Sequence, residues 1–197
     1  MQLLLVCRPV WDSNGILHSS QYQNYRRIDL IVIHCSATRA TQRYTVDDCR
    51  RGHRARGFAD IGYHYYITRD GVVHAGRPLY TVGAHATGYN SHSIGICYEG
   101  ILDIRGLPCD TRTLEQKDIL SKLIQRLLED YPQAKVVGHR DLPGVTKDCP
   151  CFAVLPSLLS ESQPKHQSGT SQAEGEGEPN ACQPPIEDEA EQIAGRE

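Results

Sequence analysis

An uninterrupted apolar run at residues 30–33 constrains the fold of this chain more than any other stretch. Leu, Ile, Val and Ile follow one another, which is typical of a strand buried on both faces rather than one that alternates between core and solvent. Such a strand needs other elements packed above and below it. The run therefore predicts a central strand of an α/β sheet, with His34 at its carboxyl end.

The remaining patterns predict a single domain with a central mixed β-sheet flanked by helices. Capping boxes begin at Thr45 and Thr113 and predict helices that end near residues 56 and 130. A strand is expected over residues 61–67, within a hairpin over 63–76, and another strand over 93–98. Since a hairpin pairs antiparallel, the sheet cannot be purely parallel.

The chain divides by composition into three parts. Residues 1–28 form an N-terminal segment that we expect to pack on the domain, with a hairpin turn at Asn14 and Gly15. Residues 29–156 form the predicted folded domain. Residues 157–197 carry nine acids against two bases and little apolar content, which predicts a disordered acidic tail.

Charge and cysteine content narrow the class of protein. Residues 1–156 hold nineteen bases and fifteen acids, a net charge of +4, which suits a polyanionic partner such as cell wall or nucleic acid. It is far weaker than the basic stripe that would predict nucleic acid by itself. The eight cysteines lack the dense spacing of a disulfide framework, so most are expected to be reduced. Neither a signal peptide nor a membrane-length apolar run is recognisable, so we expect a protein made in the cytoplasm without membrane insertion. A monomer is also expected.

Residues 138–150 carry a pair of metal ligands around a turn. His139 follows a short apolar strand end, and a Pro-Gly turn then allows Cys149 to return towards the imidazole. Imidazole and thiolate are ligands that zinc prefers, and His34 at the end of the central strand is the third candidate. Lys147 adds a cation beside them. Three separated ligands favour a catalytic zinc with an open position, whereas a structural zinc site closes with four.

With these residues and Tyr63 in view, the chain resembles the zinc-dependent N-acetylmuramoyl-L-alanine amidases of the phage-lysozyme type, which are relatives of the peptidoglycan recognition proteins. The resemblance covers roughly residues 29–152 and depends on the order and spacing of several short motifs. These lie at residues 33–38, 62–64, 71–76, 83–90, 93–96, 138–139 and 147–150.

The resemblance implies the fold of that family and its reaction, hydrolysis of the amide between N-acetylmuramic acid and L-alanine in bacterial peptidoglycan. It implies Zn²⁺ held by His34, His139 and Cys149, with Tyr63 and Lys147 as catalytic residues. Such an enzyme acts on the cell wall, for instance after phage-type release. Separately, His85 lies in a Gly-rich loop and is predicted to contact substrate.

Two departures from the family pattern and two alternative functions stay open. Some relatives carry Glu where this chain has Cys97, which places more of the proton transfer on Tyr63 and leaves Glu99 as a weak substitute. Cys151 is interpreted as a bystander. The chain is alternatively a non-catalytic muropeptide recognition module, or a regulator that binds another protein. Non-catalytic relatives typically lose the Cys ligand, so Cys149 favours the enzyme.

Overall fold

A computed structural model of the chain describes residues 10–11, 17–18 and 26–154. Its strands, in chain order, are Val10–Trp11 (β1), Leu17–His18 (β2), Leu30–Cys35 (β3), Thr38–Arg39 (β4), Tyr65–Ile67 (β5), Val73–Ala75 (β6), Ser93–Tyr98 (β7), Ile101–Leu102 (β8) and Lys135–Gly138 (β9). The α-helices are Val46–Ala55 (α1) and Leu114–Asp130 (α2), and single 3₁₀ turns span Asn90–His92 and His139–Asp141.

The predicted central strand is β3. It lies between β7 and β9 in a five-stranded sheet of order β6-β5-β7-β3-β9, and it pairs parallel with both neighbours. β5 runs parallel to β7, while β6 pairs antiparallel with β5 as the second arm of the hairpin. The prediction of a mixed sheet is therefore confirmed.

The side chains of β3 point alternately to the two faces of the sheet. Ile31 and Ile33 are fully buried in the larger core, which the apolar stripe of α2 covers. Val32 and His34 point to the opposite face. There, α1 covers part of the sheet through Cys49, and loops cover Val32. The face that carries His34 is thus roofed mainly by loops, which leaves room for a cleft.

Both helices begin where the capping boxes predict. The Thr45 hydroxyl accepts a hydrogen bond from the Asp48 backbone N–H, and the Asp48 carboxylate accepts one in return from the Thr45 N–H at 2.9 Å. Thr113 and Gln116 repeat this arrangement at α2. Each box pairs backbone N–H groups that the first helical turn leaves without partners.

The strand predicted over residues 61–67 is shorter than expected, because β5 begins only at Tyr65. Before it, the Gly62 carbonyl accepts from the Ala84 N–H at 2.9 Å and the Tyr63 carbonyl from the Arg77 N–H at 2.9 Å. A Cβ at Gly62 would lie 2.3 Å from the Ala84 carbonyl oxygen, so the backbone here packs against a loop instead of a sheet neighbour. Tyr63 consequently lies at the irregular entrance to the strand.

In the N-terminal segment, β1 and β2 pair antiparallel, as the predicted hairpin requires. Their predicted turn at Asn14 and Gly15 and the predicted tail at 157–197 lie outside the described residues. Within residues 26–154, neither helix combines the length and apolarity that a membrane crossing requires.

Candidate active site

Three potential metal ligands meet at one edge of the sheet. His34 ends β3, and His139 begins the 3₁₀ turn directly after β9, the parallel neighbour of β3. Cys149 returns to the same place, where its carbonyl accepts from the Arg140 N–H at 2.7 Å. One ligand atom from each of the three residues lies within 4.8 Å of the other two. The structure therefore brings together the group that the sequence predicts.

The protonation states of this group suit a metal ion. The His34 and His139 ring centroids are 4.5 Å apart, and Cys149 Sγ lies 4.0 Å from His34 Nδ1. Hydrogen bonding from Cys35, with further contributions from the two imidazoles, holds the pKa of the Cys149 thiol well below its usual value. Burial lowers the pKa of His34. A thiolate beside a neutral imidazole is the state in which these side chains bind metals.

The ligands lie at the base of an open cleft of about 770 Å³. Its walls include Tyr63, His53 and Phe58 on one side and the loop around His85 on another. Arg56 and Lys147, both exposed, are the cationic side chains among the described residues that line it. Asp148 is the carboxylate among the described lining residues, so the lining keeps a small positive excess that favours an anionic ligand.

Tyr63 lies against the ligand group. Its ring centroid is 5.2 Å from that of His34, and it packs against the buried cluster that contains Cys97 of β7. Removal of the phenol from water raises the pKa of Tyr63 well above its usual value. Tyr63 therefore keeps its proton at neutral pH and acts as a hydrogen-bond donor.

His85 makes a contact that the sequence did not predict. It lines the cleft, which is compatible with the predicted contact to substrate, but its Nδ1 lies 3.0 Å from Nε2 of His34. Its Nε2 lies 3.3 Å from the hydroxyl of Ser93 in β7. His85 thus connects the sheet to a candidate metal ligand.

His53 is a cleft residue that the sequence reasoning missed. Its Nδ1 accepts the Gly62 N–H at 2.7 Å, and its ring lies 5.3 Å from the Tyr63 ring. His53 and Cys49 lie four residues apart on α1, and both are buried. That spacing was the available signal, because residues at i and i+4 share one helix face.

Other candidates lie away from the cleft. The Glu99 carboxylate accepts from the backbone N–H groups of Tyr44 and Arg69 and lines a separate pocket, so it is not placed to replace a base at position 97. His64 is buried, as predicted, and its Nδ1 accepts from the Gly95 N–H at 3.0 Å. Cys151 does not belong to the group of ligand atoms found among the described residues.

The cysteines of the described region are mostly thiols, as predicted. Cys109 is disulfide-bonded. The free ones are Cys35, Cys49, Cys97, Cys149 and Cys151.

Comparison with known proteins gives a consistent result. The family model described as N-acetylmuramoyl-L-alanine amidase matches residues 24–152. The endolysin of Enterobacteria phage K11 is 38% identical over 132 residues, which cover 67% of this chain and 86% of the relative.

Solved structures show the same likeness. The N-acetylmuramoyl-L-alanine amidase LysC from Clostridium intestinale has a TM-score of 0.59 and 27% identity, with 69% of this chain and 85% of LysC covered. Drosophila PGRP-LB has a TM-score of 0.53 and 29% identity, with 64% of this chain and 75% of PGRP-LB covered.

Proposed function

The chain belongs to the N-acetylmuramoyl-L-alanine amidase family, and from that premise we propose how it works and which residues perform the reaction. It hydrolyses the amide bond between N-acetylmuramic acid and the L-alanine of peptidoglycan. A zinc ion is held by His34, His139 and Cys149. The observation that carries this proposal is the convergence of these three ligand atoms, within 4.8 Å of one another, at the base of a substrate-sized cleft.

The donor set fits zinc in number and kind. Two imidazoles and one thiolate are a ligand combination of catalytic zinc sites, which leave a fourth position open. The Cys35 backbone N–H donates a hydrogen bond to Cys149 Sγ at 3.3 Å, which stabilises the thiolate form of the ligand. When bound, zinc supplies a Lewis acid for the scissile carbonyl and lowers the pKa of water to about 7.

Tyr63 is the proposed proton donor. Its raised pKa keeps the hydroxyl protonated, and its ring lies 5.2 Å from the ring of His34, which supports a position beside the scissile carbonyl. From there it donates to the charge that develops on the carbonyl oxygen, or to the departing amine. Because position 97 offers a thiol and no carboxylate, Tyr63 carries a larger share of the proton transfer.

Lys147 is the proposed electrostatic partner. It is exposed, lines the cleft and lies two residues before Cys149. An ammonium group there stabilises an oxyanion and also attracts an anionic wall polymer. We further propose that the chain binds peptidoglycan rather than nucleic acid and that it acts as a monomer on the cell wall.

We also propose residues 29–156 as the catalytic unit. The described strands of the main sheet and all three ligands fall within this range. The family match begins slightly earlier, at residue 24. Arg26 lies in this extension and contacts the domain, since its guanidinium donates to the Leu79 carbonyl at 2.7 Å and lies 3.2 Å from His64.

Product analysis tests the proposed reaction. Purified peptidoglycan is incubated with the wild-type protein or with Cys149→Ser, and the new termini are identified by mass spectrometry. Amidase activity releases L-alanine amino termini together with free lactyl ends, and only when Cys149 is intact. Zinc binding without any cleavage of wall or soluble muropeptide would instead support a recognition module.

A further inference from the structure

The ring of His85 is held in a slot between two glycines. Gly95 lies in the middle of β7, opposite Val32 of β3, and a Cβ there would stand 2.6 Å from Cγ and Cδ2 of His85. A Cβ at Gly83 would stand 2.5 Å from Cδ2. Real Cβ atoms do not approach other atoms so closely. Both positions therefore have to be glycine for the imidazole to occupy this place.

The backbone that carries His85 is also held firmly. The Asn90 side-chain oxygen accepts from the His85 N–H at 2.8 Å and from the Ala86 N–H at 2.9 Å. The walls and the backbone fix the plane of the ring, and the hydrogen-bonding partners, Ser93 on one side and His34 on the other, fix which way round it lies. Its two nitrogens can therefore be assigned from their partners.

The assignment starts at Ser93, whose side chain is buried. Its hydroxyl lies 2.8 Å from the backbone carbonyl oxygen of Tyr89, and a carbonyl only accepts, so the hydroxyl hydrogen is donated there. Towards Nε2 of His85, at 3.3 Å, the Ser93 oxygen can then only accept. Nε2 of His85 therefore carries the ring hydrogen.

The second step reaches the candidate metal ligand. In a neutral imidazole only one nitrogen carries hydrogen, so Nδ1 of His85 accepts. Its partner at 3.0 Å is Nε2 of His34, which must donate. The remaining nitrogen of His34, Nδ1, keeps a free lone pair and is the atom that lies 4.0 Å from Cys149 Sγ.

We propose that Ser93 and His85 are positioning residues that fix the tautomer of His34, so that His34 binds the metal through Nδ1. This inference rests on the proposed zinc site. It gives His85 a role in metal binding that is separate from contact with substrate. Residues that orient a ligating histidine in this way typically change metal affinity 10- to 100-fold when they are replaced.

The first test needs no variant. Long-range ¹H–¹⁵N NMR of the zinc-loaded, ¹⁵N-histidine-labelled protein distinguishes the two ring nitrogens of His34. The expected spectrum shows Nε2 of His34 protonated and Nδ1 bound to metal. Metal on Nε2 would overturn the inference while leaving the zinc site intact. Failure of the wild-type protein to bind zinc would refute the proposed function itself.

The second test measures zinc dissociation constants by competition with a chelator. His85→Leu should weaken zinc binding by roughly 10- to 100-fold, and Ser93→Ala should weaken it less, by up to about 10-fold. His85→Asn places an acceptor oxygen near the position of Nδ1 and should restore affinity to within about threefold of wild type. Thr87→Val is the matched control, since Thr87 is an exposed cleft residue of the same loop, and its zinc affinity should be unchanged. An unchanged dissociation constant in His85→Leu would overturn the inference.

Discussion

Replacement of Tyr63 by Phe isolates the hydroxyl that we propose as proton donor. The substitution keeps the ring, which lies 5.2 Å from His34 and 5.3 Å from His53, so the packing around the ligands should persist. It removes one donor to the developing oxyanion. Loss of one such donor in other enzymes costs about 2.7–4 kcal/mol, which corresponds to a decrease of roughly 10²–10³ in kcat.

The assay is steady-state cleavage of a soluble muropeptide, with zinc content measured on the same samples. We expect kcat to fall by that factor, while KM and zinc stoichiometry stay close to wild type. A fall in zinc content would instead mean that the hydroxyl supports the ligands. A kcat within about threefold of wild type would refute the assignment of Tyr63, because a removed transition-state donor must lower kcat.

Tyr66→Phe is the matched control for this experiment. Tyr66 is a second tyrosine close in sequence, but it does not line the cleft. Its hydroxyl donates a hydrogen bond to the Tyr44 carbonyl at 2.7 Å. Removal of this hydrogen bond should lower the free energy of unfolding by about 0.5–1.5 kcal/mol. It should leave kcat unchanged.

Three further predictions concern charge, pH and packing. Lys147→Met should lower kcat/KM for the muropeptide by about 10²-fold or more without loss of zinc, and an unchanged kcat/KM would contradict its role. Burial lowers the pKa of His64 from 6.5 to about 4. As the pH falls, His64 therefore takes up a proton in the unfolded chain before it does so in the folded protein, and the free energy of unfolding decreases between pH 6.5 and pH 4. In urea unfolding, wild type should lose about 2 kcal/mol relative to His64→Asn between pH 7 and pH 5, and parallel curves would contradict the burial argument. Gly62→Ala should lower the free energy of unfolding by about 1–3 kcal/mol because its Cβ would meet the Ala84 carbonyl, and an unchanged midpoint in thermal unfolding would show that the loop yields freely.

The predictable parts of the fold are those with local causes. The apolar run before His34 indicates a strand that is buried on both faces. The capping boxes at Thr45 and Thr113 predict where the two helices begin. These signals involve neighbouring residues only, so no tertiary information is needed to read them. Strand and helix positions follow from them directly.

The ligand group was predictable for a related reason. His34 and His139 each follow an apolar strand, and the carboxyl ends of parallel strands meet at one edge of a sheet. The family resemblance then supplied Tyr63 and Lys147. Both residues line the cleft, and Tyr63→Phe and Lys147→Met test their proposed catalytic roles.

The environment of the ligands was not predictable, because it depends on segments distant in sequence. The slot for His85 needs Gly83 and Gly95 from a loop and a strand, and the contact of His53 with Tyr63 depends on how α1 lies on the sheet. The prediction that β5 begins at residue 61 was wrong for the same reason, since the strand begins at Tyr65. The apolar pattern identified the buried residues of this stretch, but it could not show that Gly62 hydrogen-bonds to Ala84 of a loop instead of to a neighbouring strand.

Metal titration tests the central claim most directly. The protein is stripped of metal with a chelator, zinc is added back stepwise, and amide cleavage is followed against bound zinc. The proposed three-ligand centre predicts that activity is absent without metal, rises linearly, and reaches a plateau at about one zinc per chain. Cleavage that persists in the stripped protein, or that remains absent when one zinc is bound, would contradict the account.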